Sequence, residues 1–444
     1  AISNFYTDIA KKSFTAKICL FHQRFSTNTQ PRWHLAQPFR LLAHNGEINA
    51  IRGNRNWVKA RTSKFSTPLI PGISQFKSLV NETGSDSSAL DNMIELLVKG
   101  GINFFRSIRM VLPPAWQNIH TMDPEVRAFH EYNSMHMEAW DGPAAVSLTD
   151  GRHIGCLIDR NGLRPSKYVI TKDDKLYITS EYGTLSLDED NILERGRLQS
   201  GEMIALDLKH GKVLKEDDIN DYLKSSQYYS KWLNEDMDYI QEYIEDSFLN
   251  TSDYILDDLE KKQKYFNITY EAIDQMIEPM ANDGKEPVGS MGDDTPLACF
   301  SQVNRNFTDY FKQKFAQVTN PPIDPYREKV VMSLETGFGQ IHNILSEQPE
   351  YAKRLKTTSP ILMKEKFDIL HSFGHPQSPR YDEYYKNKTF STTFTTDLKA
   401  SLVALSEKVV KAVKDEKVSV IILDDRDVGE KAKLIPMAMA VGYI

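Results

Sequence analysis

Cysteine is scarce in this chain. Its 444 residues hold three, Cys19, Cys156 and Cys299, and no two stand at a metal-binding or redox spacing. An odd, sparse set with apolar neighbours argues against a disulfide-stapled secreted fold and suits a reducing compartment, so a cytoplasmic location is expected. Each thiol is expected to be a small core residue rather than a nucleophile. Positive charge is not in excess either: 54 Lys and Arg stand against 61 Asp and Glu, for a net charge of -7. That argues against nucleic acid as a main partner, because neutralising phosphates needs a basic face. No apolar run approaches the roughly 18 residues of a membrane span, so no membrane partner is expected. His22, His34, His120, His130 and His136 show no ligand spacing, and no protein-bound metal is expected. A leading Met is missing. Ala1 is followed by no targeting pattern, residues 434–444 stop inside an apolar element, and the expected reading is a fragment.

What is present is an ordinary globular composition, 40% hydrophobic and 26% charged, with length enough for roughly two to three domains. The chain is organised around residues 19–57. Residues 18–21 are apolar and extended in character, and they empty into the polar run Arg24-Phe25-Ser26-Thr27-Asn28. Residues 39–43 form a second short apolar run that stops at His44-Asn45-Gly46. Two strands ending side by side in polar loops is a common way to present chemistry. Asn45-Gly46 alone is equally a plain hairpin turn. Residues 47–60 do not alternate like a return strand and read as irregular or helical, with Gly53 interrupting.

Residues 1–221 are expected to form one domain. Leu90, Met93, Ile94 and Leu97 recur at helical spacing, Gly100-Gly101 ends the pattern, and Ser85 or Asp86 is the expected N-cap. A helical stretch runs from Pro113-Pro114 towards His136. Residues 144–148, 152–159, 166–171, 175–181 and 202–208 are strand-like. Asp150-Gly151, Asn161-Gly162 and Lys172-Asp173-Asp174 separate the first four as turns. Residues 222–280 carry helical spacing without strand signals and read as a connector, its Tyr228, Tyr229, Trp232, Tyr239 and Tyr243 packing against a neighbouring domain. In residues 281–444, Gly289-Ser290-Met291-Gly292 lacks the Lys of a phosphate loop. Asn320-Pro321-Pro322-Ile323-Asp324-Pro325 is rigid and sets up a helix from Tyr326. Residues 398–413 read as an amphipathic helix and residues 418–423 as a buried strand, which implies a parallel sheet in an α/β domain.

Several blocks carry a resemblance. Arg24-Phe25-Ser26-Thr27-Asn28-Thr29, Leu35-Ala36-Gln37-Pro38-Phe39-Arg40, Ala43-His44-Asn45-Gly46-Glu47-Ile48-Asn49 and Arg52-Gly53-Asn54-Arg55-Asn56-Trp57 resemble the class II glutamine amidotransferase domain of glutamate synthase large chains. Asp159-Arg160-Asn161-Gly162-Leu163-Arg164-Pro165 is similar to the same family. So are Gly289-Ser290-Met291-Gly292-Asp293-Asp294-Thr295-Pro296 and Phe315-Ala316-Gln317-Val318-Thr319-Asn320-Pro321-Pro322-Ile323-Asp324-Pro325. The blocks stand in the family's order and cover most of the chain. The resemblance implies an α/β (α+β) fold: a four-layer α/β/β/α sandwich of the N-terminal-nucleophile type, then the helical connector and the first part of the family's central domain.

It also implies a chemistry. Releasing ammonia from glutamine needs a nucleophile, an oxyanion hole and a clamp for the amino-acid end. The family's nucleophile is an N-terminal Cys whose own amine, of pKa about 7.7–8.0, is the base. Ala1 is not Cys, so the nucleophile is expected to be absent from this chain. By the resemblance Asn45 and the Gly46 N–H form the oxyanion hole, Arg24 holds the glutamine carboxylate, Asp86 holds its ammonium, and Thr27 and Asn28 line the substrate. The plain structural alternatives are a surface ion pair for Arg24, a cap for Asp86 and a turn for Asn45. His44 beside Asn45 is expected to be structural. In the whole enzyme ammonia passes to 2-oxoglutarate and the imine is reduced. The flavin (FMN) and iron–sulfur cluster for that step are expected outside this chain, which should hold no cofactor. The implied partners are glutamine, the remaining parts of the large chain (a Cys-bearing N-terminal segment and a flavin domain), and a small NAD(P)H-oxidising subunit or ferredoxin. Two alternatives stay open: a non-catalytic scaffold that kept the fold, and an amidotransferase for another acceptor, which the residue 320–325 block disfavours.

Overall fold

The computed structural model describes residues 2–25, 30–244, 258–285, 287, 298–302, 305–311 and 323–444. These fall into two compact units. The first comprises residues 1–237 with 315–333 and 341–353. Its helices are α1 (Ile2–Phe5), α2 (Ile51–Arg61), α3 (Asp86–Lys99), α4 (Phe104–Val111), α5 (Pro124–Ser134), α6 (Glu216–Lys224) and α7 (Tyr229–Asp236). Its strands are β1 (Leu42–Gly46), β2 (Ala144–Thr149), β3 (His153–Ile158), β4 (Lys167–Thr171), β5 (Leu176–Thr179), β6 (Ile192–Arg197), β7 (Met203–Asp207) and β8 (Lys212–Leu214).

A five-stranded sheet of order β1-β2-β3-β7-β8 is antiparallel throughout. A three-stranded antiparallel sheet of order β5-β4-β6 lies against it. Strand alternation divides the larger sheet's side chains between two cores. Cys156, Ile158 and Ile204 meet Tyr168, Leu176 and Ile178 of the smaller sheet. Val146, Leu148, Leu157, Met203 and Ala205 face the other way, onto a core that includes α3 and α4. Helix, sheet and sheet thus supply three layers of the expected sandwich. Helix α3 shows why the layer forms where it does. Ser85 caps it by accepting from the Ser88 N–H. Leu90, Met93, Ile94 and Leu97 are buried along one stripe, each contributing about 1.5–3 kcal/mol. Gly100 ends it.

Several expectations are corrected. Residues 18–21 form no strand: Cys19 is exposed, as is Phe21, because no described strand offers this run a ladder partner. Cys299 is exposed as well, so only Cys156 is a core thiol. Asn45-Gly46 is not a turn but the end of β1, and the chain turns at Asn49-Ala50 instead. Helix α2 runs through Gly53 without a break. The helical stretch before His136 is α5, capped by Asp123, while α4, β6 and β8 had no sequence reading. The first unit also reaches past residue 221. Tyr229 stands 5.5 Å from Phe129 and Trp232 5.4 Å from Tyr132, ring to ring, so these two of the five stripe residues are core here, while Tyr228 is exposed.

The second unit comprises residues 238–314, 334–340 and 354–444. A three-stranded sheet combines β9 (Met237–Tyr239), β10 (Thr336–Phe338) and β11 (Arg354–Thr357) in the order β10-β11-β9. So the 222–280 stretch does hold a strand, followed by short helices such as Leu259–Tyr265. Strand β12 (Asn387–Ser391) pairs parallel with the next long strand, Val420–Asp424. Helices Lys364–Gly374 and Leu398–Asp415 both pack on β12, the α/β pattern read from the sequence. Residues 289–296 and 315–322 of the resemblance blocks, and Thr27 and Asn28, lie outside the described residues. Asp324 caps the helix Pro325–Val331 by accepting from the Tyr326 and Arg327 N–H groups.

Candidate active site

Strand β1 is the outer strand of its sheet, so half of its backbone amides have no strand to bond. Thr149 donates to the Leu41 carbonyl and Glu47 donates to the Pro143 carbonyl. Residues 43, 45 and 47 therefore turn their amides to β2, and residues 42, 44 and 46 turn theirs to the open edge. On that edge Leu42 N–H donates to Asp91 Oδ1 at 3.1 Å, and His44 N–H donates to Gln37 Oε1 at 2.6 Å. The third outward amide is Gly46. No side chain of the described residues caps it.

Gly46 has a steric reason to be glycine. Its φ is +140°, and a Cβ there would stand 1.8 Å from the Pro143 carbonyl oxygen. Across the gap a Cβ on Gly142 would stand 2.0 Å from the Glu47 carbonyl oxygen. Two backbones approach here closer than any side chain allows. Beside Gly46 the Asn45 side chain is exposed, and no hydrogen bond within the described residues engages its amide.

The helix layer meets this strand end. Asp86, at the first position of α3, is half-buried. Its Oδ2 accepts from the Ile48 N–H at 2.7 Å, and its Oδ1 accepts from the Ser87 N–H at 2.8 Å. One carboxylate thus ties the chain just beyond Gly46 to the start of α3. His44 Nδ1 lies 2.9 Å from Ser87 Oγ, a second tie between the same elements. His44 is 3% exposed. Burial pulls its pKa down to about 4, against the Asp86 carboxylate, which raises it; Arg164 and His22 lower it further. The imidazole is neutral at pH 7, as a structural histidine should be, and its Nε2 has no partner among the described residues.

Of the expected site residues, the structure joins Asn45, Gly46 and Asp86 at one strand end. It does not join Arg24 to them: Arg24 is exposed on an irregular segment, and no ion pair to Asp86 exists among the described residues. Its N–H donates to His22 Nδ1 at 3.2 Å, and His22 is within electrostatic reach of His44, so the segment approaches the site through His22. Gln37 and Arg164 stand in the resemblance blocks without a role of their own, and Asp91 and Ser87 had no functional reading. Asp91 resembles any helix carboxylate until the fold brings residues 40–42 to it; burial raises its pKa even as it accepts from the Arg40, Leu41 and Leu42 N–H groups. Among the described residues no group of three or more His, Cys, Asp and Glu is placed to hold a metal ion, and no helix is long and apolar enough to cross a membrane. Buried Cys156, its thiol pKa raised by desolvation, has the character of a packing residue.

Residues 1–232 match the family model described as "Glutamine amidotransferases class-II", and residues 261–444 match "Glutamate synthase central domain". The chain is 38% identical over 444 residues to "Glutamate synthase [NADPH] large chain" of Bacillus subtilis, covering 100% of this chain and 28% of that protein. It is 38% identical over 453 residues to "Ferredoxin-dependent glutamate synthase 2, chloroplastic" of Arabidopsis thaliana, covering 99% and 27%. With "Glutamate synthase [NADH]" of Schizosaccharomyces pombe the identity is 37% over 455 residues, covering 100% and 21%. The chain therefore spans under a third of the length of these relatives. It belongs to the class II glutamine amidotransferase family, in the branch that joins this domain to a glutamate synthase central domain.

Proposed function

We propose that the β1–α3 corner binds glutamine and that its hydrolysis to glutamate and ammonia is this unit's part of glutamate synthesis. The reading rests foremost on the uncapped outward N–H of Gly46, next to the free Asn45 amide and the Asp86 carboxylate. Two donors at a strand end suit the oxyanion that develops when a nucleophile attacks the amide carbon. Asp86 keeps lone pairs beyond those its backbone donors use, enough to receive the substrate's ammonium. Arg24, with Thr27 and Asn28 beyond it, is the reach of the neighbouring segment towards the carboxylate, for which a forked guanidinium is the natural partner. The attack on the amide carbon needs a thiolate in addition to these groups. In the whole enzyme the ammonia passes to 2-oxoglutarate, and the imine is reduced by electrons that reach it through a flavin and an iron–sulfur cluster. Three scattered cysteines do not fit a cluster's thiolate set, so both groups belong to other parts of the enzyme. Its electron donor is a nicotinamide-oxidising subunit or ferredoxin. A cytoplasmic setting is supported by the sparse, unpaired cysteines.

Kinetics of the full-length enzyme carrying Asn45→Ala test the reading. Losing one oxyanion donor should lower kcat for glutamine hydrolysis roughly 10²–10³-fold, with little change in KM. Synthesis driven by added ammonia should persist. An unchanged kcat would remove Asn45, and with it this site, from the chemistry.

A further inference from the structure

The loop after β3 closes the same end of the sheet. Asp159 N–H donates to the Ala144 carbonyl, and Ala144 N–H donates to Asp159 Oδ1 at 2.9 Å; Ala144 is the residue opposite Gly46. Almost every polar group of the Asp159–Pro165 run has a structural task. Asp159 Oδ2 accepts from the Asn161 N–H at 2.7 Å, and Arg160 Nε donates to Asp141 at 2.9 Å. Gly162, at φ +65°, lies against Ser200 so closely that a Cβ would stand 1.9 Å from its hydroxyl. Ser166 at the loop's end accepts from the Leu198 N–H at 3.0 Å. The exceptions are the buried Asn161 Oδ1, which has no partner among the described residues, and Arg164. Arg164 is half-buried, yet no hydrogen bond or ion pair engages its guanidinium among the described residues.

A second guanidinium, that of Arg55, also feels the Asp86 charge, but its Nη2 is held by the backbone and its buried Nε has no partner among the described residues. Arg55 donates to the carbonyls of Gly84 (2.8 Å) and Ser85 (3.1 Å). Asp86 is bonded to Ile48 and Ser87 at this strand end, Arg164 is on the loop bonded to Ala144 opposite Gly46, the charges of both reach the His44 ring, and no ion pair joins them among the described residues. That pattern complements a zwitterion: an ammonium for the anion and a carboxylate for the cation. The loop's bonds and Pro165, which fixes φ, hold the backbone around Arg164 in advance.

We propose that Arg164 binds the α-carboxylate of glutamine, as a cation fixed on the sheet in addition to Arg24 on the neighbouring segment. The proposal rests on the glutaminase reading above. Its test is steady-state hydrolysis by the full-length enzyme carrying Arg164→Gln or Arg164→Lys, with Arg24→Gln alongside. Each is assayed on glutamine and on 4-aminobutanamide, which lacks the carboxylate, with ammonia-driven synthesis as the control for folding. Arg164→Gln should raise the KM for glutamine roughly 10- to 100-fold, the loss of one charge-assisted contact, and leave kcat/KM for 4-aminobutanamide unchanged. Arg164→Lys should recover part of the loss. An equal loss on both substrates would mean a structural role and overturn the proposal, as would an unchanged KM. A native enzyme that hydrolyses no glutamine would instead overturn the reading beneath it.

Discussion

Two buried histidines carry a pH signature at the scale of single residues. Burial pulls His44 down to about 4 and His130 down to about 3, from about 6.5 in the unfolded chain. Both are neutral in either state above pH 7 and cost nothing there. As pH falls below about 6.5 the unfolded chain takes up protons that the native state refuses. Stability should therefore fall through the window from pH 6.5 towards 4, by up to about 1.4 kcal/mol per histidine per pH unit. Urea midpoints at pH 7 and pH 5 measure this, and His130→Phe should flatten the dependence. Equal midpoints would show that neither imidazole is excluded from water. Gly46→Ala should cost at least about 2 kcal/mol, since a side chain at φ +140° meets the Pro143 carbonyl; a melt unchanged within 1 °C would contradict the close approach. Asn45, Gly46 and Asp86 were legible as site candidates because their types and order repeat a known arrangement. The bonds around them were not. Whether the His44 ring is buried on Ser87 depends on a strand and a helix more than forty positions apart in the chain.

Among elements, those with a self-contained signal were legible. Helix α3 has its cap, its stripe and its terminal glycine, and β2 alternates buried and half-buried residues from end to end. Elements that depend on a partner were not. Residues 18–21 have the composition of a strand without a neighbour to pair with. β1 carries its pairing into His44-Asn45-Gly46, which read as a stop because the three are polar or glycine, although His44 is buried against Ser87 of α3. Of the two residues suited to cap α3, Ser85 holds the position while Asp86 serves the strand. Replacing Ser85 by Ala should cost about 1 kcal/mol. A larger effect awaits Glu216 at the start of α6. Its carboxylate receives Arg109 Nη2 at 2.7 and 2.5 Å and the Met203 N–H at 2.8 Å, and the Arg109 side chain is fully buried. Glu216→Ala leaves that cation without its carboxylate and should cost about 3–5 kcal/mol. Urea denaturation of both variants ranks the two effects, and a Glu216 variant as stable as the Ser85 one would contradict the buried pair.

Across the whole molecule, chain order and packing order differ. Residues 341–353 follow the amidotransferase match by more than a hundred positions, yet they belong to the first unit. Ile344, Leu345 and Ala352 enter its core. Glu347 pairs with Arg106 at 3.2 Å and receives the Tyr229 hydroxyl. Tyr132 OH donates to the Gln348 carbonyl and accepts from its N–H, and Asn343 exchanges bonds with the Ser66 backbone. A chain cut after Met237 should therefore unfold with a lower and broader melt than one that retains this segment, and matching melts would contradict its role. Nothing local in the sequence announces such a return, because its anchors are ordinary residues whose partners the topology supplies. The account as a whole turns on where glutamine's product rests. A crystal structure of the full-length enzyme with glutamate bound settles it. The account predicts the ammonium on Asp86 and the side-chain carboxylate within about 3 Å of the Gly46 N–H and the Asn45 amide. Glutamate bound elsewhere, with the β1 edge and Asp86 untouched, would contradict it.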